Sequence, residues 1–174
     1  AMSSDEVFHL KELPASLLIV GGGYIACEFA GVFTGLGVDV TQYYRGTQIL
    51  RGFDNQARGL VSEEMCQRGI NLQLETQILE MEERRGKIWT KTTGGQERLF
   101  DKVMFATGRT PNSKNLNLGE LGIETGPNGE ITVDAYSQSS VPSVYAIGDV
   151  TNRMNLTPVA IREAMAFVKT VFEG

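Results

Sequence analysis

The sequence predicts an α/β fold in which a parallel β-sheet, built on a βαβ unit, is followed by an antiparallel β-meander. Three observations carry this expectation. Residues 17–20 form a short apolar run that leads directly into Gly21-Gly22-Gly23. Residues 24–36 repeat apolar side chains at helical spacing before Gly37, and a second strand-like stretch follows at 38–44. Residues 76–82, 87–92 and 97–100 alternate polar and apolar, joined by the turn pairs Arg85-Gly86 and Gly94-Gly95.

Taken in order, residues 3–13 read as a lead-in helix, with Ser4 as N-cap and Pro14 as its end. The run at 17–20 has the continuous apolar character of a strand covered on both faces. The helix at 24–36 places Ile25, Phe29, Val32, Phe33 and Leu36 on one side. A further helix at about 54–68 is closed by Gly69 and followed by a strand at 70–74. After the meander, residues 101–107 form another apolar strand ending in Gly108-Arg109-Thr110-Pro111. Beyond it lies a stretch rich in Asn and Gly, then strands at 130–134 and 143–147, then a helix at 158–172.

Bulk properties remove several function classes. The 174 residues carry a net charge of −5, which argues against a nucleic-acid partner, because backbone phosphates select basic faces. No apolar run approaches the length of about 18 residues that a membrane span needs. Cys27 and Cys66 have neither CxxC nor zinc spacing. Both fall in helical patterns and read as buried thiols in a reducing compartment. No metal site is expected. The only histidine, His9, sits beside Phe8 and Leu10 and reads as structural.

The chemistry concentrates at Gly21-Gly22-Gly23-Tyr24-Ile25-Ala26, a glycine fingerprint after a strand and at the start of a helix. Gly21 permits the tight turn, Gly23 lets backbone approach a pyrophosphate, and Ala26 keeps helix and strand close. The helix N-terminus then offers unpaired N–H groups and a partial positive charge of about +0.5 to that pyrophosphate. This is the Rossmann-like βαβ arrangement. Which dinucleotide it holds is decided at the end of the second strand. NAD-binding versions place an acid there for the ribose 2′-hydroxyl. Here stand Tyr43-Tyr44-Arg45, with Arg51 beyond. Two guanidiniums can chelate a 2′-phosphate through charge-assisted bonds worth about 1.5–3 kcal/mol each. The bland alternative is a pair of solvated surface arginines.

Longer islands then resemble a known group. The stretch from Gly21 through Gly31, and Tyr44-Arg45-Gly46-Thr47-Gln48-Ile49-Leu50-Arg51-Gly52-Phe53-Asp54, look like the NADPH site of the flavin-dependent pyridine nucleotide–disulfide oxidoreductases. Ala106-Thr107-Gly108-Arg109-Thr110-Pro111-Asn112 resembles that family's crossover out of the NADPH domain. Tyr145-Ala146-Ile147-Gly148-Asp149-Val150 and Leu156-Thr157-Pro158-Val159-Ala160 resemble its second FAD contact region.

The resemblance implies an NADP(H)-binding domain over residues 1–111 and the C-terminal part of a split FAD domain over 112–174. It implies cofactor contacts at Gly21, Gly22, Gly23, Tyr24, Ile25, Glu28, Arg45, Arg51, Gly108, Arg109, Asp149 and Thr157. Tyr24 would be an aromatic lid over the flavin, and Glu28 would pair with a lysine of the FAD domain near the nicotinamide. Asp149 would accept from a flavin ribityl hydroxyl, and Thr157 would open a helix aimed at the isoalloxazine. The parent enzyme would pass hydride from NADPH to FAD, then electrons to a redox disulfide and a disulfide substrate. That substrate is expected to be glutathione disulfide, with trypanothione the rival, in a cytoplasmic homodimer. A NAD-dependent lipoamide dehydrogenase is disfavoured by Tyr44, where its site wants an acid.

Between them the two cysteines supply no Cys-x4-Cys pair, and neither a second glycine fingerprint nor the family's histidine–glutamate acid–base pair is found. No catalytic residue is therefore expected in this chain, which would bind NADP(H) without reducing a disulfide. A stand-alone, non-enzymatic NADPH-binding module is the alternative of another class.

Overall fold

A computed structural model describes residues 1–173 of the chain. The chain divides into two compact units, the first covering Ala1–Gly108 and the second beginning at Arg109.

The first unit is built on a four-stranded parallel sheet. Its strands are β1 (Ser16–Val20), β2 (Asp39–Tyr43), β3 (Asn71–Gln73) and β7 (Lys102–Phe105), in the order β3-β2-β1-β7. Helix α1 (Tyr24–Gly35) connects β1 to β2, and α2 (Asn55–Gln67) connects β2 to β3. Between β3 and β7 the chain forms the antiparallel meander β4 (Ile78–Arg84), β5 (Lys87–Thr92) and β6 (Glu97–Phe100). The α/β class with a parallel sheet and a meander is as the sequence predicts. Because β7 returns on the far side of β1, the strand order reverses there, and the C-terminal ends of β1 and β7 flank a topological switch point.

The side-chain period of two sorts β1 between two cores. Leu17 and Ile19 face α1, meeting Ala26, Ala30 and Phe33, while Leu18 joins Tyr43, Phe100 and Val103. Helix α1 buries mainly small residues. Val32 and Leu36, expected inward, are more than half exposed, because Ala26, Ala30 and Phe33 already complete the inward stripe.

Several expected elements change. The lead-in helix at 3–13 contracts to a 3₁₀ turn at Glu6–His9, preceded by Asp5 rather than capped by Ser4. Met2 delays its start, since its N–H donates to Val103 O at 2.8 Å and its carbonyl accepts from Phe105 N–H at 2.9 Å, and Leu10 ends the turn in an extended conformation. That pairing holds the chain start extended along β7. Helix α2 begins one residue after its expected start because Asp54 is its N-cap, accepting from the N–H groups of Gln56 and Ala57. Cys66 is exposed rather than buried, while Cys27 is half-buried. Helix α2 buries Met65, and the next residue sits about 100° round the helix.

In the second unit, the strands expected at 130–134 and 143–147 reduce to the isolated bridges Thr125↔Ile131 and Gln138↔Tyr145. Local side chains take up the backbone groups instead. Asp134 Oδ1 accepts from the N–H groups of Tyr136 and Gln138, and Ser140 Oγ accepts from Glu124 N–H. Ile123, Ile131 and Ala146 form a small core. The last helix, α3, spans Thr157–Val168 and loosens into a π turn at Lys169–Glu173, short of the expected single helix to 172.

One electrostatic clamp fastens β1 to the link between β6 and β7. Asp101 Oδ2 accepts from Ser16 N–H at 2.8 Å and from Ser16 Oγ at 3.0 Å, and Ser16 Oγ accepts from Asp101 N–H at 3.0 Å. Lys87 Nζ lies 2.8 Å from Asp101 Oδ1. The Lys87 hydrogen bond, with those from Ser16, holds this carboxyl below the usual aspartate range. A depressed acid stabilises the folded chain above its unfolded value of about 3.9, and that contribution drains away as pH falls through the folded value. Asp101→Asn should therefore cost about 1–2 kcal/mol at neutral pH. Thermal melts should show the gap to wild type holding down to about pH 4 and closing below it; a gap unchanged at low pH contradicts the clamp. Exposure predicts a second outcome. At neutral pH a thiol reagent should label Cys66 ahead of Cys27, whose thiol is pushed up chiefly by burial, and peptide mapping would show the order.

Candidate functional site

The glycine loop sits where three strand ends converge. Gly21 N–H donates to Tyr43 O at 2.9 Å, tying the exit of β1 to β2. Ala106 N–H donates to Val20 O at 2.8 Å, bringing the end of β7 alongside. Gly21 has φ +144, and a Cβ there would overlap the Ala106 carbonyl. Gly22 is required for a different reason, because a Cβ there would enter the Tyr44 ring. Gly46 meets the same ring from another direction, so Tyr44 fills a slot between two glycines. Gly23 differs from both. It precedes α1 with φ −80 and nothing lies within 4 Å of its would-be Cβ. Internal packing does not explain a glycine there, whereas a ligand lying close to the backbone would.

Helix α1 starts at Tyr24, and its N-cap Gly23 supplies no side-chain cap, the kind of helix start at which an anion can take the place of a cap. Tyr24 and Ile25 are half-buried, and Ile25 packs against the main core. Glu28 is exposed one turn along and has no ion-pair partner among the described residues.

The segment after β2 is braced from several sides. Tyr44 N–H donates to Gln73 O, Thr76 N–H to Tyr44 O and Glu75 N–H to Gly46 O, all within 3.1 Å. Leu50 N–H donates to Gly22 O at 2.6 Å, with Leu50 at φ 55. Arg58 of α2 donates from Nε to Ile49 O at 2.6 Å and from Nη2 to Gln48 O at 2.8 Å. On this frame Arg45 and Arg51 are both exposed, and neither has an ion-pair partner among the described residues. The strand end thus presents two exposed cations without such partners near a glycine loop of which Gly23 is the exposed member.

Sequence reasoning missed two contributors. Nothing in the sequence pattern marks Arg58, and only the fold brings its guanidinium under the 48–49 carbonyls. Gln42 carried a readable signal. An amide inside a buried parallel strand must find partners, and Gln42 Nε2 donates to Gly21 O at 2.9 Å while fully buried.

The other singled-out residues lie at the end of the first unit or in the second. Gly108 closes the first unit. Arg109 Nε lies 3.5 Å from Asp149 Oδ2, each about half exposed. Asp149 belongs to a 3₁₀ turn, Gly148–Thr151, where Gly148 takes φ 69 and its N–H donates to Glu163 Oε2 at 2.7 Å. Arg153 pairs with the same Glu163 at 3.0 Å. Thr157 is the exposed first residue of α3, which also lacks a side-chain cap.

Comparisons with known proteins bear on the whole arrangement. The family model described as pyridine nucleotide-disulphide oxidoreductase matches residues 1–164. A glutathione reductase of Burkholderia cepacia is 49% identical over 99% of the chain, which covers 38% of that protein. The chloroplastic/mitochondrial glutathione reductase of Pisum sativum is 47% identical over 100% of the chain, covering 32% of its own length. A trypanothione reductase of Leishmania donovani is 45% identical over 99% of the chain and 36% of its own. The chain thus spans about a third of the length of the curated relatives it matches. Among solved structures, an HOCl-induced flavoprotein disulfide reductase from Escherichia coli superposes with a TM-score of 0.91 at 25% identity, over 99% of this chain and 40% of that one.

The glycine geometry separates stability from ligand binding. Gly21→Ala should lower stability by about 1–3 kcal/mol through overlap and backbone strain. Gly23→Ser, with open space and a better N-cap, should leave the melting temperature unchanged or raised while weakening dinucleotide binding. Equal melting losses in the two variants would contradict this division.

Proposed function

Because the chain belongs to the pyridine nucleotide-disulphide oxidoreductase family, we propose that residues 1–111 bind NADP(H). Residues 112–174 contribute to the flavin site of an NADPH-dependent disulfide reductase. The observation that carries this reading is the pair of exposed arginines after β2, without ion-pair partners among the described residues, where NAD-binding sites use an acid. A dianionic 2′-phosphate compensates both charges, while a ribose hydroxyl compensates neither.

On this reading the labour is divided among the residues of the two units. The loop Gly21-Gly22-Gly23 and the start of α1 take the pyrophosphate, Arg45 and Arg51 take the 2′-phosphate, and Tyr24 and Glu28 border the nicotinamide end. FAD, when bound, supplies the two-electron acceptor between nicotinamide and disulfide. Towards that group, Asp149 offers an ion-paired carboxylate with about half its surface open. Gly108 and Arg109 stand at the crossover, and Thr157 opens a helix whose first N–H groups no side chain caps. The roles of this chain are binding and orientation, and the disulfide chemistry belongs to segments that supply the redox cysteines.

Glutathione disulfide is the substrate proposed for the complete enzyme, a cytoplasmic homodimer. The two glutathione reductases at 49% and 47% identity support it, as does the short link from Gly35 of α1 to Asp39 of β2. Trypanothione is the second reading, favoured by the 45% identical reductase. Among the described residues, no helix is long and apolar enough to cross a membrane.

The test is a pair of titrations. Replacing Arg45 and Arg51 together by alanine, with Tyr44 left in its slot, should raise the NADPH dissociation constant at least about tenfold and leave NADH unchanged. Equal loss for both dinucleotides would make the arginines structural and overturn the NADP(H) assignment.

A further inference from the structure

We propose that Gln42 is a positioning residue for dinucleotide binding: its amide fixes the Gly21–Gly22 peptide so that the Gly22 N–H faces the pyrophosphate. This rests on the dinucleotide reading above and adds to it a residue that the glycine fingerprint does not contain.

Each buried backbone group at the turn after β1 needs a hydrogen-bond partner. Strand β1 ends at Val20 and α1 begins at Tyr24, so the Gly21 carbonyl belongs to neither ladder. A buried carbonyl without a donor is costly. Gln42, one residue before the end of β2 and opposite Ile19 in register, reaches up from beneath and donates from Nε2 to Gly21 O at 2.9 Å. The second hydrogen of the same amide points to Cys27 Sγ at 3.8 Å. The Gln42 side chain is fully buried and its Oε1 has no partner among the described residues, so the bonds through Nε2 are what orient the amide.

The consequence follows from peptide geometry. In a trans peptide the C=O and the next N–H point in opposite directions. Holding the Gly21 oxygen down onto Gln42 therefore turns the Gly22 N–H up, away from the sheet. Gly22 N–H has no partner among the described residues, whereas the flanking groups, Gly21 N–H and Gly22 O, are both engaged. A Gly-Gly peptide is also the one most easily flipped, because neither residue has a Cβ to restrict it. Without its donor the Gly21 carbonyl can rotate outward and present an oxygen to the pyrophosphate, exchanging an attraction for a repulsion. Gln42 prevents that exchange.

Gln42→Leu removes the donor at similar volume, and Gln42→Met removes it at similar length. Binding would be measured calorimetrically on the full chain with three probes, NADPH, NADH and 2′-AMP, after thermal melts confirm folding. Both variants should weaken NADPH and NADH by the same factor, about tenfold, which corresponds to about 1.4 kcal/mol. Both should leave 2′-AMP, which lacks the pyrophosphate, within about twofold of wild type. Equal loss of all three probes, no loss of any, or failure of both variants to fold would make Gln42 an ordinary core residue and overturn the proposal. The arginine test is read separately, because it splits NADPH from NADH, whereas Gln42 acts on the two alike. If the wild-type chain binds none of the probes, the functional reading falls and this proposal with it.

Discussion

The close approach of β1, β2 and β7 at Gly21 is the constraint on which the site depends. Three backbones meet there with no room for a side chain, since a Cβ on Gly21 would overlap the Ala106 carbonyl and one on Gly22 would enter the Tyr44 ring. That crowding lets the chain turn from strand to helix within three residues and aims the start of α1 over the sheet end. The candidate site segments of the first unit are tied together at this point. Leu50 bonds to Gly22 O and Gly21 N–H bonds to Tyr43 O, so the loop and the segment carrying Arg45 and Arg51 share one anchor.

Much of this was legible in the sequence, for identifiable reasons. An apolar run, three glycines and a helical period locate the βαβ unit, because each is a local consequence of backbone freedom and burial. The meander could be read from alternation and paired turn residues. The chain start and the expected strands of the second unit could not. Residues 3–13 have helical spacing, yet Met2 gains two backbone bonds to β7, a long-range pairing that no local pattern announces. Residues 130–134 and 143–147 have strand-like composition, but a ladder needs a partner, and Asp134 and Ser140 satisfy backbone groups there instead.

The candidate site divides along the same line. The residues whose role is to be small, or to carry a charge at a strand end, could be picked out by position alone. Those that hold them in place could not be matched to their partners, even where, as at Gln42, a polar residue within a buried strand signals that it has one. Arg58 acts through two carbonyls about ten residues earlier, and Gln42 acts on a glycine just beyond the end of the neighbouring strand. Long, flexible or buried polar side chains do their work through tertiary contacts, so their partners emerge only when the topology brings β1 beside β2 and α2 beneath the 48–49 turn.

The meander has a consequence of its own. Strand β4 lies at the outer edge of its sheet, and after Ile78 all its residues are exposed. An edge of this kind offers unpaired backbone groups to any passing strand, the usual start of unwanted association. Here the edge carries Glu80, Glu82, Glu83 and Arg84, and its register shifts between Ile78 and Glu80. A second copy trying to add a strand would bring like charges face to face and meet a ladder out of step at one end. The charges on this strand thus work against pairing by another chain along the free edge.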